Sequence, residues 1–382
     1  MRKPLEGLIV LEFSQFLAGP SAGLKLADLG ARVIKIERPG VGEACRQLSI
    51  KDLFLDKSSL LFHTINRNKE SYAANLKDPQ DLERIKKLIA IADIMTHNFR
   101  PGVMEKVGLT FKDVLKMNPK IIYGVITGYG NKGPWAHKPG QDLLVQSLSG
   151  LTWLSGKHSQ GPVPFGLAVA DLMCGNHFVQ GLLAALLKRA KTQKGVLVEL
   201  SLLESALDVQ FEALTIYLNN GGKLIDRADV EGNAHAFLSA PYGIYQTSDG
   251  YLALAMGDLM LLGETLALDF KKYEQKQTWF LERPAIRKSI QTRLLNHTTA
   301  HWLDLLRKKG FWCEKVFDYD VLNAQSFMED LQLKQSILHA DSTTMVTTRC
   351  PIKIDGEILI APKAAPQVGE DNAKINEQFK CH

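Results

Sequence analysis

The stretch Leu8–Glu37, LIVLEFSQFLAGPSAGLKLADLGARVIKIE, decides the fold. Leu8–Phe13 is an apolar run of strand length, Gly19–Leu29 has the composition of a helix, and Arg32–Glu37 is again rich in β-branched residues. A strand, a helix and a second strand in this order indicate a βαβ unit. Such units build parallel sheets.

The same alternation continues along the first half of the chain. The predicted elements are helices over Gln80–Ala92 and Phe111–Met117, strands over Asp93–His97, Ile121–Thr127 and Val196–Leu200, and a helix over Leu202–Leu218. We therefore predict an α/β fold with a large Rossmann-like domain at about residues 1–220.

The pattern changes after residue 220. A loop at 219–222 and a polar, irregular stretch over 224–236 lead to a hairpin, whose strands Tyr242–Gln246 and Tyr251–Met256 flank a Ser-Asp-Gly turn. Helical patterns follow to about Lys309 and over Tyr319–Ile337, and short strands are expected over Met345–Thr348 and Ile352–Leu359. These signals predict a small α+β domain at 225–330 and a segment over 331–382 that returns to the large domain.

Bulk composition is that of a soluble globular protein. The net charge of +5 excludes a nucleic-acid coat protein and suits an anionic small ligand. Five scattered cysteines without a CxxC pair indicate a reducing compartment and exclude a disulfide framework. Glu6 and Glu12 interrupt the N-terminal apolar stretch, and Leu172–Leu187 is too short and too polar to span a bilayer. We therefore expect a cytoplasmic location without membrane association.

Basic residues recur where predicted strands end. Arg38 follows the second strand, Asn66-Arg-Asn-Lys69 and Lys77 form a second cluster, and Asn98–Gly102 ends another strand with Lys106 one turn further on. Each charge alone is typical of a solvated surface. Because the carboxyl ends of parallel strands meet at one edge of a sheet, the three together indicate a ligand with several phosphates.

Two glycine-containing turns leave their function open. Phe16–Pro20 joins the first strand to the first helix, where an anion could bind, but the GxGxxG spacing of dinucleotide-binding folds is absent. Gly128–Pro134 leads to Gly140-Gln-Asp142, where Gln141 could reach a crevice and Asp142 is predicted to be the N-cap of the next helix. The ten histidines show no metal-ligand spacing, and no GxSxG nucleophile turn occurs.

Asp171 lies at the junction between the apolar run Gly166–Ala170 and a helix with one apolar face. Such an aspartate most often caps the helix by accepting an amide hydrogen bond. The alternative is a carboxylate nucleophile that the helix dipole keeps ionised. These local features leave both interpretations open.

Taken together, these motifs resemble a known family. The matching stretches, in family order over nearly the whole chain, are LEGLIVLEFSQFLAGPSAGLKLADLGARVIKIERPGVGE, NRNK, HNFRPGVMEKVGL, GYGNKGP, GQDLLVQSLSG, VAD with the following glycine, APYGIYQTSDGY and APKAAPQVGEDN. The chain is similar to the class III (CaiB/BaiF-type) CoA-transferases, which include formyl-CoA and carnitine CoA-transferases. The same superfamily contains α-methylacyl-CoA racemase.

The resemblance implies an interlocked homodimer, coenzyme A as substrate rather than permanent cofactor, no metal, and a role for Asp171 as the catalytic aspartate. It implies that Asp171 forms an anhydride with the acyl group of the donor and then a thioester with CoA, from which the acceptor acid receives CoA. It places Lys138–Gln141 beside the thioester. The residues that it places along CoA are Leu17, Ala18, Arg38, Ala74, Lys77, Asn98, Phe99, Arg100, Lys106 and Gln141.

The chain departs from the family pattern at three points. It lacks the tetraglycine loop of formyl-CoA transferase, which argues against formyl or oxalyl specificity. Phe311–Glu314 replaces the usual proline-cysteine-glycine-proline type stretch, so the acceptor pocket is expected to be unusual. Lys106 stands where the family has an arginine, which keeps the charge but loses bidentate geometry.

Three alternatives to a transferase follow from the same residues. A racemase needs an acid–base pair, but Gln141 stands where the racemase has a histidine and takes up no proton at neutral pH. A CoA-binding protein without catalysis would not depend on Asp171. A dinucleotide oxidoreductase is disfavoured by the missing GxGxxG. The sequence names neither the acyl donor nor the acceptor acid.

Overall fold

The chain divides into two compact units in a computed structural model, which describes residues 3–222 and 227–381. Unit 1 contains the described residues of Met1–Val145, Ala168–Val209 and Glu329–His382, and unit 2 those of Gln146–Leu167 and Gln210–Met328. The sequence prediction ended the first domain at residue 220. Residues 146–167 and 210–220 instead group with unit 2, and residues 223–226 of the predicted irregular stretch lie outside the described residues.

The strands begin and end as follows: β1 (Ile9–Glu12), β2 (Arg32–Glu37), β3 (Phe54–Leu55), β4 (Ser58–Ser59), β5 (Glu70–Ala73), β6 (Ile94–His97), β7 (Ile122–Thr127), β8 (Val196–Ser201), β9 (Gly243–Gln246), β10 (Tyr251–Leu254), β11 (Cys313–Lys315), β12 (Lys334–Leu338), β13 (Thr344–Thr348), β14 (Lys353–Ile354) and β15 (Glu357–Ile358).

The helices are α1 (Ala18–Asp28), α2 (Leu60–Asn66), α3 (Pro79–Ile91), α4 (Val103–Lys106), α5 (Phe111–Met117), α6 (Asp142–Leu148), α7 (Val169–Thr192), α8 (Leu202–Asp208), α9 (Phe211–Asn219), α10 (Leu259–Leu266), α11 (Thr278–Leu281), α12 (Arg283–Leu294), α13 (Thr299–Lys308), α14 (Tyr319–Asn323), α15 (Phe327–Asp330) and α16 (Asn372–Phe379).

Unit 1 is built on a parallel sheet of six strands in the order β5-β2-β1-β6-β7-β8. This is the strand order of dinucleotide-binding α/β folds, and the order reverses between β1 and β6. Ligands of such sheets bind outside the carboxyl ends of the strands at the point of reversal. The fold therefore places the site at the loops that follow β1 and β6. The predicted α/β fold with a parallel sheet is confirmed.

Both faces of this sheet are covered, which explains its apolar strands. Successive residues of a strand point to opposite faces. One face lies in the core with α1, α7 and α8, through Val10, Val33, Ile94 and Ile122. The other face lies in the core with α3, α5 and α16, through Leu11, Ile34, Met95 and Tyr123.

Helix α7 carries Asp171 near its first turn and packs along α1. Gly175 permits the close approach, because a Cβ there would lie 2.4 Å from Ser21 Oγ. By length and composition alone, α7 could cross a membrane, since it has 24 residues and contains an 18-residue stretch with a mean hydropathy of 1.2, whereas the sequence prediction considered only Leu172–Leu187. Its face with Cys174, Phe178 and Leu182 is buried in the core of unit 1, as in the central helix of an α/β unit.

The C-terminal part of the chain differs from its prediction. Instead of one helix over Tyr319–Ile337, two short helices precede β12, which pairs antiparallel with β13. The burial of Gln335 and Ile337 between exposed neighbours shows the two-residue period of a strand. The predicted helix over Leu202–Leu218 is likewise interrupted, and forms α8 and α9.

Unit 2 contains the antiparallel sheet β11-β10-β9 over an apolar core of its own. The N–H of Thr247 donates to the carbonyl of Gly250 across the predicted Ser-Asp-Gly turn, at 2.8 Å. In the unusual stretch Phe311–Glu314, Phe311 and Cys313 are buried, whereas Trp312 is 73% exposed. This stretch therefore fixes β11 to the core and presents one large aromatic side chain to solvent.

Candidate active site

Two loops of unit 1 are joined at the point where the strand order reverses. The N–H of Gln15, after β1, donates to Asn98 Oδ1 at 2.8 Å. The Nδ2 of Asn98, after β6, donates to the carbonyl of Gln15 at 2.7 Å. Both ends of the Asn98 amide are thus used within the protein. The side chain of this expected CoA contact holds the two loops in register.

The turn that follows β1 is held in an unusual conformation. Phe16 has a φ of 63°, although it is bulky and half of its surface is exposed. Its N–H donates to Glu43 Oε2 at 2.9 Å. Leu17, which is half-buried, and Ala18, which is buried, follow directly and begin α1. Glu43 therefore fixes the backbone along which the resemblance places CoA. Sequence analysis missed Glu43, because no local pattern marks a partner 27 residues away.

A buried ionic network lies behind this turn. Lys35 Nζ lies 3.0 Å from Glu12 and 3.1 Å from Glu43, and Lys69 Nζ lies 2.9 Å from Glu12. Burial alone would lower the pKa of Lys35, but the carboxylates of Glu43 and Glu12 raise it above its usual range. Burial lowers the pKa of Lys69 to about 8, against the opposing effect of Glu12.

This network corrects one expectation about the phosphate site. Lys69 was predicted to belong to a ligand-binding cluster with Asn66 and Arg67. Instead, Asn66 Oδ1 accepts from Lys69 Nζ at 2.9 Å, and Arg67 forms a bidentate pair with Asp28 at 2.6 and 2.8 Å. These side chains are buried and paired with other groups of unit 1, so they are structural.

Four other basic side chains remain exposed in the segments that follow β2, β5 and β6 at the carboxyl edge of the sheet. They are Arg38 after β2, Lys77 after β5, and Arg100 and Lys106 after β6. Within residues 3–222 and 227–381, none of them forms an ion pair or a side-chain hydrogen bond. The structure therefore leaves these four cations solvated on the edge where an anionic ligand would bind.

The remaining predicted contacts on this edge are apolar. Ala74 is buried, and its N–H donates to the carbonyl of Glu37 at 2.9 Å. Phe99 stacks on His97, with ring centroids 5.9 Å apart. Burial lowers the pKa of His97 to about 4, which keeps this ring neutral at physiological pH. Phe99 thus rests on an uncharged support.

The two ends of the glycine-rich loop after β7 contact each other at Gly128 and Gly140, and we call this contact the neck of the loop. Gly128 and Gly140 pack backbone against backbone, and a Cβ on Gly140 would lie 2.5 Å from the Cα of Gly128. Within this loop, Lys138 Nζ lies over the ring of Trp135. Gln141 follows the neck, is exposed, and accepts from the N–H of Leu143 at 3.2 Å. The neck therefore fixes the start of α6, where Asp142 lies.

Asp142 caps a different helix from the one predicted. It is the first residue of α6, but its Oδ1 accepts from the N–H groups of Ala170 and Asp171 at 2.8 and 3.2 Å. These amides belong to the first turn of α7. The cap is therefore supplied from a residue far away in sequence, which local spacing could not reveal.

Asp171 itself does not cap α7. It is half-buried in the first turn of the helix, and among the described residues no group donates a hydrogen bond to its carboxylate. Burial and the neighbouring charge of Asp142 raise the pKa of Asp171 to about 7. The expectation that helix amides keep this carboxylate ionised was wrong, because those amides donate to Asp142 instead.

Asp171 also lies on the correct edge of the sheet. Helix α7 precedes β8 and runs antiparallel to it, so its first turn is at the carboxyl ends of the strands. The residues that the structure describes contain no cluster of three or more His, Cys, Asp or Glu side chains able to hold a metal ion. The chemical group that this edge offers is a carboxylate without a hydrogen-bond donor among the described residues, on the same edge of the sheet as the exposed cations.

Comparison with known proteins identifies relatives over nearly the whole chain. Residues 5–372 match the model of CoA-transferase family III. The mouse succinyl-CoA:glutarate CoA-transferase is 35% identical over 344 residues, covering 88% of this chain and 75% of that protein. The succinate–glutarate CoA-transferase of Agrobacterium fabrum is 30% identical, covering 98% of this chain and 95% of that protein. A CaiB/BaiF family protein from Brucella suis has a crystal structure that matches with a TM-score of 0.85 and 29% identity, covering 99% of this chain and 100% of that one.

Proposed function

The chain belongs to CoA-transferase family III and is a transferase, and from this premise we propose that it moves coenzyme A from an acyl-CoA donor to a carboxylic acid through Asp171. The observation that carries the proposal is the Asp171 carboxylate. It lies at the carboxyl edge of the parallel sheet, half-buried and without a hydrogen-bond donor among the described residues. A carboxylate free of such partners is available as a nucleophile.

The proposed first half of the reaction has two steps. The Asp171 carboxylate attacks the carbonyl carbon of the donor thioester, the C–S bond breaks, and CoA leaves as a thiolate beside an aspartyl–acyl anhydride. The thiolate then attacks the carbonyl carbon of Asp171, and the donor acid leaves as a carboxylate. The product is an aspartyl–CoA thioester. Covalent capture of this kind divides one difficult exchange into easier steps.

The second half repeats these steps with the acceptor. The acceptor carboxylate attacks the Asp171 carbonyl and displaces the CoA thiolate, which forms a second anhydride. The thiolate then attacks the acceptor acyl carbon and releases Asp171. Holding CoA beside the anhydride uses proximity, which can supply about 7–11 kcal/mol of the barrier. Water must be kept away, because it would hydrolyse the anhydride.

The exposed cations support the assignment of CoA as the ligand. Arg38, Lys77, Arg100 and Lys106 follow three strands at the same edge of the sheet, and the nucleotide end of CoA carries a pyrophosphate and a 3′-phosphate. The turn at Phe16–Ala18 and the aromatic ring of Phe99 offer apolar surface on the same edge. We assign Leu17, Ala18, Ala74, Asn98 and Gln141 to the same ligand on the basis of the family resemblance.

The relatives suggest the kind of acid. Both curated relatives described above are named for succinate or succinyl-CoA and for glutarate. We therefore propose short dicarboxylic acids as donor and acceptor. We further propose a homodimer, as the family resemblance implies, and a cytoplasmic location, which the five free, buried cysteines support.

The direct test is a screen of acyl-CoA and acid pairs for CoA exchange by mass spectrometry, beginning with succinyl-CoA and glutarate. The wild type should exchange CoA, and Asp171→Asn should not. After acyl-CoA addition, hydroxylamine should convert Asp171 to a hydroxamate in the wild type, whereas Asp113→Asn, a change at a surface position of α5, should leave this trapping intact. No exchange and no adduct with any pair would refute the transferase. Incorporation of deuterium at the α-carbon of a 2-methylacyl-CoA in D₂O would favour a racemase instead.

A further inference from the structure

We propose that Asp142 is a positioning residue for this reaction: it caps α7 in place of Asp171 and so leaves the Asp171 carboxylate free, next to a fixed negative charge. The inference rests on the proposed function, since it assigns a role to Asp142 through Asp171.

Capping α7 and acting as the nucleophile are assigned to two different aspartates in this geometry. The first amides of a helix lack partners within the helix and need an acceptor. Ala168, the N-cap residue of α7, provides no side-chain acceptor. Asp142 Oδ1 instead accepts from the N–H of Ala170 at 2.8 Å and from the N–H of Asp171 at 3.2 Å. If Asp171 made these bonds itself, its oxygens would be occupied and turned toward its own backbone.

Asp142 is held firmly enough to act as a remote cap. It is 7% exposed, so burial restricts its side chain. The neck of Gly128 and Gly140 ends two residues before it. The carbonyl of Gly128 in turn accepts from the N–H of Leu203 at 3.1 Å, which ties the neck to α8. The cap thus connects β7, α7 and α8 around the first turn that carries Asp171.

The other charged groups on the helices packed around Asp171 are paired with partners of their own. On α8, Glu204 Oε2 accepts from Ser201 Oγ at 2.6 Å, and Asp208 pairs with His177 Nε2 of α7 at 3.2 Å. On α1, the amine of Lys25 lies near the carbonyl of Ser21 and Asp28. The buried thiol of Cys174, one turn after Asp171, is neutral because burial raises its pKa to about 12. Asp142 is therefore the charge that acts on Asp171 together with burial.

The consequence for chemistry is a more basic carboxylate. Burial and the Asp142 charge raise the pKa of Asp171 to about 7. A nucleophile with a raised pKa is more reactive once it is ionised, and a pKa near the working pH keeps a useful fraction in that form. Asp142 would thus both orient the nucleophile and set its basicity.

The test compares Asp142→Asn with Asp142→Ala. Asparagine keeps an acceptor oxygen for the two amides but removes the charge, whereas alanine removes both. For Asp142→Asn, the acid limb of kcat/KM against pH should move to lower pH by about one unit. For Asp142→Ala, hydroxylamine trapping of Asp171 should also fall at least tenfold, because the first turn of α7 loses its acceptor. Asp113→Asn is the matched control and should leave the acid limb in place.

A second readout does not depend on transferase activity. Carbodiimide with an amine modifies protonated carboxyl groups, and mass spectrometry reports the modification of Asp171 as a function of pH in the full-length protein. Asp142→Asn should move this profile to lower pH even if no CoA exchange is found. An unchanged Asp171 profile in folded Asp142→Asn would overturn the inference. If the Asp171 modification profile shifts in Asp142→Asn but the wild type exchanges no CoA, only the proposed function is refuted.

Discussion

Glu43 Oε2 accepts a hydrogen bond from the N–H of Phe16 at 2.9 Å, and this bond holds Phe16 at a φ of 63°. A bulky residue is rarely found in this left-handed region, and such strain costs about 1–3 kcal/mol. Glu43 is itself fixed, because its other oxygen lies 3.1 Å from Lys35 Nζ. The turn that begins α1 is therefore held in a strained conformation by a buried carboxylate.

Substitutions at Phe16 should reveal this strain. Phe16→Gly should leave the free energy of unfolding within about 1 kcal/mol of the wild type, since glycine adopts a positive φ without strain. Phe16→Val should destabilise by about 1–2 kcal/mol, because a β-branched side chain is disfavoured at this φ. Urea unfolding measures both changes. Equal losses in the free energy of unfolding for Phe16→Gly and Phe16→Val would show that the positive φ of this position does not affect stability.

Lys69 should be among the residues most sensitive to truncation. Lys69→Ala removes a fully buried cation that donates to Glu12 and should cost about 3–5 kcal/mol in the free energy of unfolding. The matched control is Lys308→Ala, which breaks an exposed pair with Asp304 and should cost about 1 kcal/mol or less. If both substitutions have the same effect in thermal unfolding, the buried network does not stabilise the unit.

Local patterns in the sequence predicted most of the parallel sheet. Arg32–Glu37 forms β2 as predicted, and Phe111–Met117 forms α5 as predicted, because apolar periodicity and turn residues are local signals. Strand β5 was missed, since Glu70 and Ser71 look like surface residues in the sequence. In the structure they are satisfied by the C-terminal segment: Glu70 pairs with Lys374, and the N–H of Ser71 donates to Asp371.

The site was predicted less completely than the sheet, for the same physical reason. Asp171 and the exposed Arg38 lie on the expected edge, because the order of strands and helices determines that edge. The partners of buried charges depend on contacts between residues far apart in sequence. Lys69 therefore looked like a ligand contact, and Asp142 looked like the cap of its own helix.

The pH dependence of stability provides a test of the Asp171 environment. The pKa of Asp171 is about 7 in the folded chain and 3.8 as its ordinary value, so the folded state binds the proton more tightly. This contribution is fully present at low pH and is lost as pH rises from about 4 to 7. Asp171→Asn should therefore become more stable than the wild type as pH rises, by about 1–4 kcal/mol above pH 7. Melting temperatures of both proteins measured from pH 4 to 8 check this, and parallel curves would contradict it.

The glycine neck should be sensitive to a single methyl group. In Gly140→Ala, the Cβ would lie 2.5 Å from the Cα of Gly128, so the two backbones must separate and move Asp142. We expect CoA exchange to fall at least tenfold, because misplacement of about 1 Å near a reacting group can lower a rate about a hundredfold.

Gly133→Ala, within the same loop, is not a neutral control, because Gly133 has a φ of 81°. Gly166→Ala is suitable, since nothing lies within 4 Å of its added Cβ and its φ is not positive. Full activity in Gly140→Ala would show that the neck does not position the site.

The exposed cations should control affinity for CoA through its phosphates. Arg38→Ala should raise the dissociation constant for CoA about tenfold, since a charge-assisted bond to phosphate contributes about 1.5–3 kcal/mol before solvent screening reduces it. The binding of CoA should also become less dependent on salt.

Lys194→Ala is the matched control, because Lys194 is exposed just before β8, at the amino edge of the sheet. Calorimetric titration with CoA and with dephospho-CoA separates the possible contacts: a smaller effect of Arg38→Ala on dephospho-CoA would assign Arg38 to the 3′-phosphate, and an equal effect to the pyrophosphate. If Lys194→Ala weakens CoA binding as much as Arg38→Ala, only the overall charge of the protein matters and the carboxyl edge is not the binding site.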